Sequence, residues 1–419
     1  MEEPHTNLNH VIFGLLGSEK AWYDRKHYIE SWWRPNVTRG VLYLDEAPTE
    51  DLMPWSDALP PFRVSDDLTK FLQETNARAP IMIRMVHGIM EVVREMRDTN
   101  LRWVVMGDDD SIFFVENMID VLGGFDHRKY YYFGGNSEFI TNNYFFSFNQ
   151  GFGGAGFILS YPLAKALAND MENCLRRYAH VYSADTITMS CIADIGVNLY
   201  PHKGIHQIDL LNDLSGFLSS HPKSPLLSLH HLHKVEPIFP GMDRHQSIRH
   251  LMEAATADQS RMLQQTICYH KQNNWSLSIS WGYSAHIYEQ IMPRSHLQKP
   301  LETFKPWAAR ASRPFYMFDT RLPYNDSCHA PHVFFFEKLD KVSMGILATY
   351  SRAKPRGLPP CSLTSKYKPD LISQITVLSP PNKRKEMDRC ECCDVVGMGG
   401  TDTSVEVKLR ECTLNEVIA

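Results

Sequence analysis

Long apolar runs are missing from this 419-residue chain. No stretch approaches the about 18 consecutive apolar residues of a membrane-spanning helix, which excludes such a helix within the sequence. The opening MEEPHTNLNH is polar and lacks the charged-then-apolar pattern of a secretory signal. A basic surplus is missing too: 43 Lys and Arg face 48 Asp and Glu, a net charge of −5. With no Arg- or Lys-rich face, nucleic acid is not expected as a partner. The amino-terminal half contains neither GxGxxG nor GxxxxGKS/T, so dinucleotide and P-loop chemistry are excluded there and a metal, not a glycine nest, has to hold any phosphate. Cysteine is sparse. Nine are too few for a disulfide scaffold, although an even subset can pair in an oxidising compartment. Cys390, Cys392 and Cys393 have the wrong spacing for a zinc site, which leaves a disulfide or a free thiol cluster. Three acceptor sequons start at Asn36, Asn274 and Asn325 and matter only on the secretory route.

What is present is a core and a set of acids. Hydrophobic residues make up 43% of the chain and aromatics 11%, enough for two domains or one large one. Residues 10–16 read as a strand. Helical spacing of Trp22, Lys26, Ile29 and Trp33 predicts a helix over 19–33, and residues 40–44 and 62–64 are further strands. Ile81, Met85, Ile89, Val92, Val93 and Met96 share one side of a helix at 81–96, which leads into the strand 103–106. This alternation is that of an open α/β domain with a largely parallel sheet.

The strand at Trp103 ends on Gly107 and then Asp108, Asp109 and Asp110, with apolar residues again from Ile112. Three adjacent carboxylates at the exit of a core strand repel one another and are costly to bury unpaired. A hard divalent cation, Mn²⁺ or Mg²⁺, with substrate phosphate completing its shell, resolves that cost. In α/β sheets ligands collect at the carboxyl ends of strands. The alternative is a solvated acidic turn. Further on, Gly151, Gly153, Gly154 and Gly156 let backbone approach a ligand closely, against the plainer reading of a flexible turn. Ser183 or Asp185 caps the next helix. His230, His231 and His233 close an apolar run, and neutral imidazole is a common metal ligand. Trp103 and Trp281 could stack on sugar but are more simply core residues.

Taken together, HVIFGLLGS, WWRPN, RGVLYLDE, RWVVMGDDDSIF, FNQGFGGAGFILS, SADTIT and SPLLSLHHLHKVEPIFP resemble the Fringe-like β1,3-glycosyltransferases. The nearest likeness is to the plant Fringe-related branch, long described as a domain of unknown function. The resemblance spans about residues 9–345. It implies an α/β fold of the GT-A nucleotide-sugar-binding type, with a mostly parallel central sheet flanked by helices. It also implies an inverting transfer of a hexose or N-acetylhexosamine from a UDP-sugar to a hydroxyl of a glycan, glycoprotein or small molecule, in β1,3 linkage. By position, Asp108 and Asp109 would contact the metal–diphosphate, and Asp108, Asp110 and His231 would hold Mn²⁺ (or Mg²⁺). Gly153 and Gly154 would line the donor pocket, and Asp185 would be the general base, alone where relatives carry two acids. His233 stands where plant relatives more often have an acid. These relatives are Golgi type II membrane proteins, so the expectation is an anchor upstream of this chain, or otherwise a lumenal protein.

The expected domains are a catalytic core at 9–245, a family-specific part packed on it at 246–350, and a weakly ordered extension at 351–419. The competing function is a carbohydrate-binding or scaffolding protein that keeps the fold and has lost catalysis. A two-metal phosphohydrolase is disfavoured because no second dense carboxylate–histidine cluster is seen.

Overall fold

The computed structural model describes residues 5–95, 100–362, 368–384, 389–398 and 403–418. The chain divides into two compact units. The first comprises Met1–Asp209, Leu227–His233 and Arg310–Met317; the second comprises Leu210–Leu226, Lys234–Ala309 and Phe318–Ala419.

The first unit is a three-layer α/β sandwich. Its strands are β1 (Val11–Leu16), β2 (Gly40–Leu44), β3 (Phe62–Val64), β4 (Trp103–Asp108), β5 (Ile112–Phe113), β6 (Tyr132–Gly134), β7 (Phe157–Ser160), β8 (Leu199–Pro201) and β9 (Ile205–His206). Seven form one sheet in the order β3-β2-β1-β4-β7-β6-β8. β1 runs parallel to β2 and β4, β2 to β3, and β6 to β8, while β7 is antiparallel to both neighbours. The sheet is therefore mostly parallel, as expected. Every residue of β1 and β2 is buried, the signature of strands covered on both faces.

The helices are α1 (Glu19–Glu30), α2 (Thr69–Thr75), α3 (Pro80–Glu95), α4 (Val115–Leu122), α5 (Ile140–Phe145), α6 (Tyr161–Arg177) and α7 (Ala184–Asp194). Ile83, Val86, Ile89 and Val92 of α3 pack with Leu163, Leu167 and Met171 of α6 and Ile187 of α7 onto Ile12, Val41, Val104 and Met106. Gly14 admits α3, because a Cβ there would stand 2.4 Å from Val92. On the other face, the Trp32 ring packs 5.1 Å from both Phe13 and Phe113. The expected apolar side of α3 is corrected by one position: Ile81 is exposed, since the buried stripe is 83-86-89-92, and Met96 lies outside the described residues.

The second unit is mostly β. Eight strands run in the order Gln265–His270, Trp275–Ser280, Ser284–Tyr288, His332–Val342, Gly345–Arg352, Gln374–Ser379, Ser404–Arg410, Cys392–Met398. All pairings are antiparallel except Gln374–Ser379 with Ser404–Arg410. Buried and non-buried residues alternate strictly in Gln374–Ser379, so one face lies on a core. The Cys268–Cys393 disulfide links the first strand of this order to the last, and the sheet curls until its ends meet. This overturns the reading of 351–419 as a weakly ordered extension: three of the eight strands start beyond residue 370, and the expected boundary at 350 falls inside Gly345–Arg352. Their alternating apolar residues had no complete core of their own, only the sheet's.

Four disulfides form among the described residues, Cys174–Cys191, Cys268–Cys393, Cys328–Cys361 and Cys392–Cys412, leaving Cys390 as a thiol. No helix among the described residues is long and apolar enough to cross a membrane.

Candidate functional site

The chain leaves β1 toward β2 and returns as β4 on the other flank of β1, so the carboxyl ends of these two parallel strands bracket a topological switch point, where open α/β sheets bind ligands. Asp108 ends β4 there. The following turn is closed by Ser111, whose hydroxyl accepts from Asp108 N–H at 2.8 Å and donates to the Gly154 carbonyl at 2.6 Å. Trp32 Nε1–H donates to the Ser111 carbonyl at 2.9 Å. Asp109 turns toward β1, accepting from Ser18 N–H at 3.3 Å and from Arg25 at 2.7 Å. Asp110 Oδ1 lies 3.7 Å from the same guanidinium.

A small three-stranded sheet explains what Asp110 meets. Ser228–Leu229 pairs antiparallel with β5 and parallel with β9, and Leu229 lies opposite both Ile112 and His206. One residue further on, that register sets His230 against the residues just before β5 and just after β9. Accordingly His230 Nε2 is 3.1 Å from Asp110 Oδ1 and 3.9 Å from Asp108 Oδ2, while its Nδ1 is 3.2 Å from Gln207 Oε1. His231 takes the left-handed φ of 59° and gives its Nδ1 to Asp209 at 2.8 Å. Asp209 also accepts from Ser137 and Asn142.

Two of the three expected metal ligands come together. The carboxylate oxygens of Asp108 and Asp110 gather with a ring nitrogen of His230, all within 4.8 Å of one another. His231, placed in that role by the resemblance, has its Nδ1 on Asp209. His233 Nδ1 lies 2.5 Å from Asp110 Oδ2 as an ion pair. Two carboxylates and an imidazole nitrogen gathered this closely fit a divalent cation.

The electrostatics are those of crowded charge. Burial raises the Asp108 carboxyl to about 7, with His230 opposing and Asp110, Asp109 and Asp185 adding. Asp110 is also buried, yet His230, then His233 and Arg25, hold it well below the ordinary carboxylate range. His230 is buried as well, and against that burial Asp110 and Asp108 lift it to about 9. Burial lowers His231 to about 4, with His230 adding, so His231 is a neutral imidazole.

Asp185 does not cap α7. Ser183 does, accepting from Thr186 N–H at 3.3 Å. The freed Asp185 carboxylate accepts from Gly153 N–H at 2.8 Å, and burial raises it to about 6, with the Gly153 bond and His230 opposing.

The glycines are small for a reason other than the one expected. A Cβ at Gly153 would stand 2.7 Å from Asp185 Oδ1, and one at Gly154 would stand 2.1 Å from His230 Cε1. They make room for side chains of the site. Trp103 and Trp281 are fully buried. Arg25, Gln207 and Asp209 escaped the sequence reading. Arg25 sits among the polar residues of α1 with no distinguishing neighbour, and the other two become visible only once β9 is paired with Ser228–Leu229.

Among solved structures, core-mannan synthase A of Aspergillus fumigatus in its Mn/GDP form is similar with a TM-score of 0.30 and 9% identity, over 48% of this chain and 75% of that one. A likeness of that degree carries no argument. No curated protein matches. A family model, "Protein of unknown function, DUF604", matches residues 142–393. That is more than half of the sequence, and it takes in the glycine loop, Asp185, Gln207 and all three histidines: the chain belongs to the DUF604 family.

Proposed function

We propose that this protein is a metal-dependent, inverting glycosyltransferase of the GT-A type, moving a hexose or N-acetylhexosamine from a UDP-sugar to a hydroxyl of a glycan or glycoprotein. The observation that carries the reading is the gathering of Asp108, Asp110 and His230 at the carboxyl end of β4, beside the switch point of a mostly parallel sheet. The sequence motifs that resemble the Fringe-like transferases converge on the same place. Asp108, Asp110 and His230 would hold Mn²⁺ or Mg²⁺, which when bound neutralises charge on the departing diphosphate.

The chain's own groups supply the rest. Arg25 holds Asp109, fixing the direction of the turn that aims Asp110 at the site. Asp185, anchored on Gly153 N–H, is ionised at neutral pH and basic enough to take the proton of an acceptor hydroxyl as the new bond forms. A single displacement at the anomeric carbon inverts its configuration. A Golgi setting remains part of this proposal, and the four disulfides agree with an oxidising compartment.

Calorimetric titration with UDP, with and without Mn²⁺, tests it. Wild type should bind UDP only with the metal, and Asp110→Ala should lose that binding. A folded wild type that binds no UDP with any divalent ion would overturn the reading in favour of a carbohydrate-binding protein.

A further inference from the structure

We infer that Gln207 is a positioning residue for the cation: its side-chain carbonyl fixes the His230 ring with a proton on Nδ1 and so aims Nε2 at Asp110. This rests on the metal reading above. Gln207 Oε1 lies 2.9 Å from Ala155 N. A backbone N–H only donates, so this side-chain atom is the carbonyl oxygen and not the amide nitrogen. His230 Nδ1 lies 3.2 Å from the same oxygen. A carbonyl cannot donate, so Nδ1 carries the hydrogen. Nε2 then faces Asp110 Oδ1 at 3.1 Å and Asp108 Oδ2 at 3.9 Å. A lone pair against two carboxylates demands a positive species between them. When no metal is bound that species is a proton; a divalent ion takes its place.

The support behind Gln207 is built rather than incidental. Gln207 is 6% exposed, and a buried amide is costly unless bonded. Its two neighbours are clamped by one carboxylate: Glu138 Oε1 meets His206 Nδ1 at 2.8 Å, and Oε2 accepts from Ile208 N–H at 2.7 Å. Ile208 sits at φ 52°, a left-handed conformation that β-branched residues rarely adopt and that the surroundings must enforce. The clamp faces Gln207 and Asp209 toward consecutive imidazoles, a neutral acceptor behind His230 and a carboxylate behind His231. Metal-bound histidines generally give their other ring N–H to such an acceptor, and losing it typically weakens metal binding 10- to 100-fold.

The test is Mn²⁺ titration calorimetry on the whole chain, comparing wild type, Gln207→Met and Gln207→Glu. Met keeps the length and removes the acceptor; Glu restores one. Affinity should fall roughly 10- to 100-fold in Gln207→Met and recover in Gln207→Glu, with the His230 nitrogen coupling to Mn²⁺ in pulsed EPR weakened only in the Met variant. Wild-type binding that Gln207→Met leaves within about twofold would overturn the role of Gln207 and leave the metal reading intact. A wild type that binds no Mn²⁺ would overturn both. Should Gln207→Met fail to fold, ¹⁵N NMR of wild type with Zn²⁺ decides: the ring proton of His230 belongs on Nδ1, and finding it on Nε2 sinks the assignment.

Discussion

Two neighbouring glycines separate binding from chemistry at the scale of single residues. The Gly154 Cα faces the His230 ring and the Gly153 Cα faces the Asp185 carboxylate. Gly154→Ala therefore has to displace His230, and Mn²⁺-dependent UDP binding should weaken at least tenfold, with about 1–3 kcal/mol of stability lost to overpacking. Gly153→Ala displaces Asp185 instead. UDP binding should survive it while turnover falls by roughly the 10²–10⁴-fold that a general base contributes. Equal losses of binding in both variants, measured by the same titration, would mean that the two side chains do not have separate tasks. The sequence showed glycine-rich backbone and aspartate-rich turn as separate features. That each glycine is paired with one particular side chain was not legible, because the pairing runs through space between residues 76 positions apart for Gly154 and 32 for Gly153.

Elements were legible where local pattern decides them. β2 and β3 fall on the expected residues, and the helix cap preceding Thr186 is one of the two residues offered for it. α5 was not visible, since Ile140–Phe145 has no apolar stripe and leaves Tyr144 and Phe145 exposed. Its place is set by Asn142 on Asp209 and by Asn143, whose amide bonds the Ser137 carbonyl at 2.7 Å. Disulfides were illegible for the same reason: a cysteine count fixes no partner. Cys174 of α6 and Cys191 of α7 are buried on the shared face of two helices and joined across 17 residues. Replacing both by Ala should cost about 2–4 kcal/mol, read as a lower urea midpoint, with UDP binding at saturating Mn²⁺ preserved. A midpoint that does not move would show that helix packing alone holds α6 to α7.

Across the molecule, acid sensitivity follows from histidines buried as neutral rings. Burial lowers His286 to about 3, with Arg321 adding, and lowers His202 to about 4, with His206 adding. Their folded values lie below the ordinary value of 6.5, so the unfolded chain binds the extra protons. Stability is therefore complete above pH 6.5 and drains away toward pH 4 and 3, by at most about 1.4 kcal/mol per pH unit per ring. Urea unfolding followed from pH 7 to pH 4 should show that slope, and His286→Leu should flatten it; an unchanged slope would assign the loss to other groups. At this scale the sequence was read least well. Residues 351–419 read as a weakly ordered extension, whereas the strands there complete a sheet begun at Gln265. That closure also imposes an order of events in the cell. Cys268 is synthesised 125 residues before Cys393, and its own strand has no covalent mate until then. Through that interval Cys268 has to stay unpaired while Cys328 and Cys361, which pair with each other, are made, so faithful assembly depends on an oxidant slow enough, or an isomerase active enough, to let Cys268 wait.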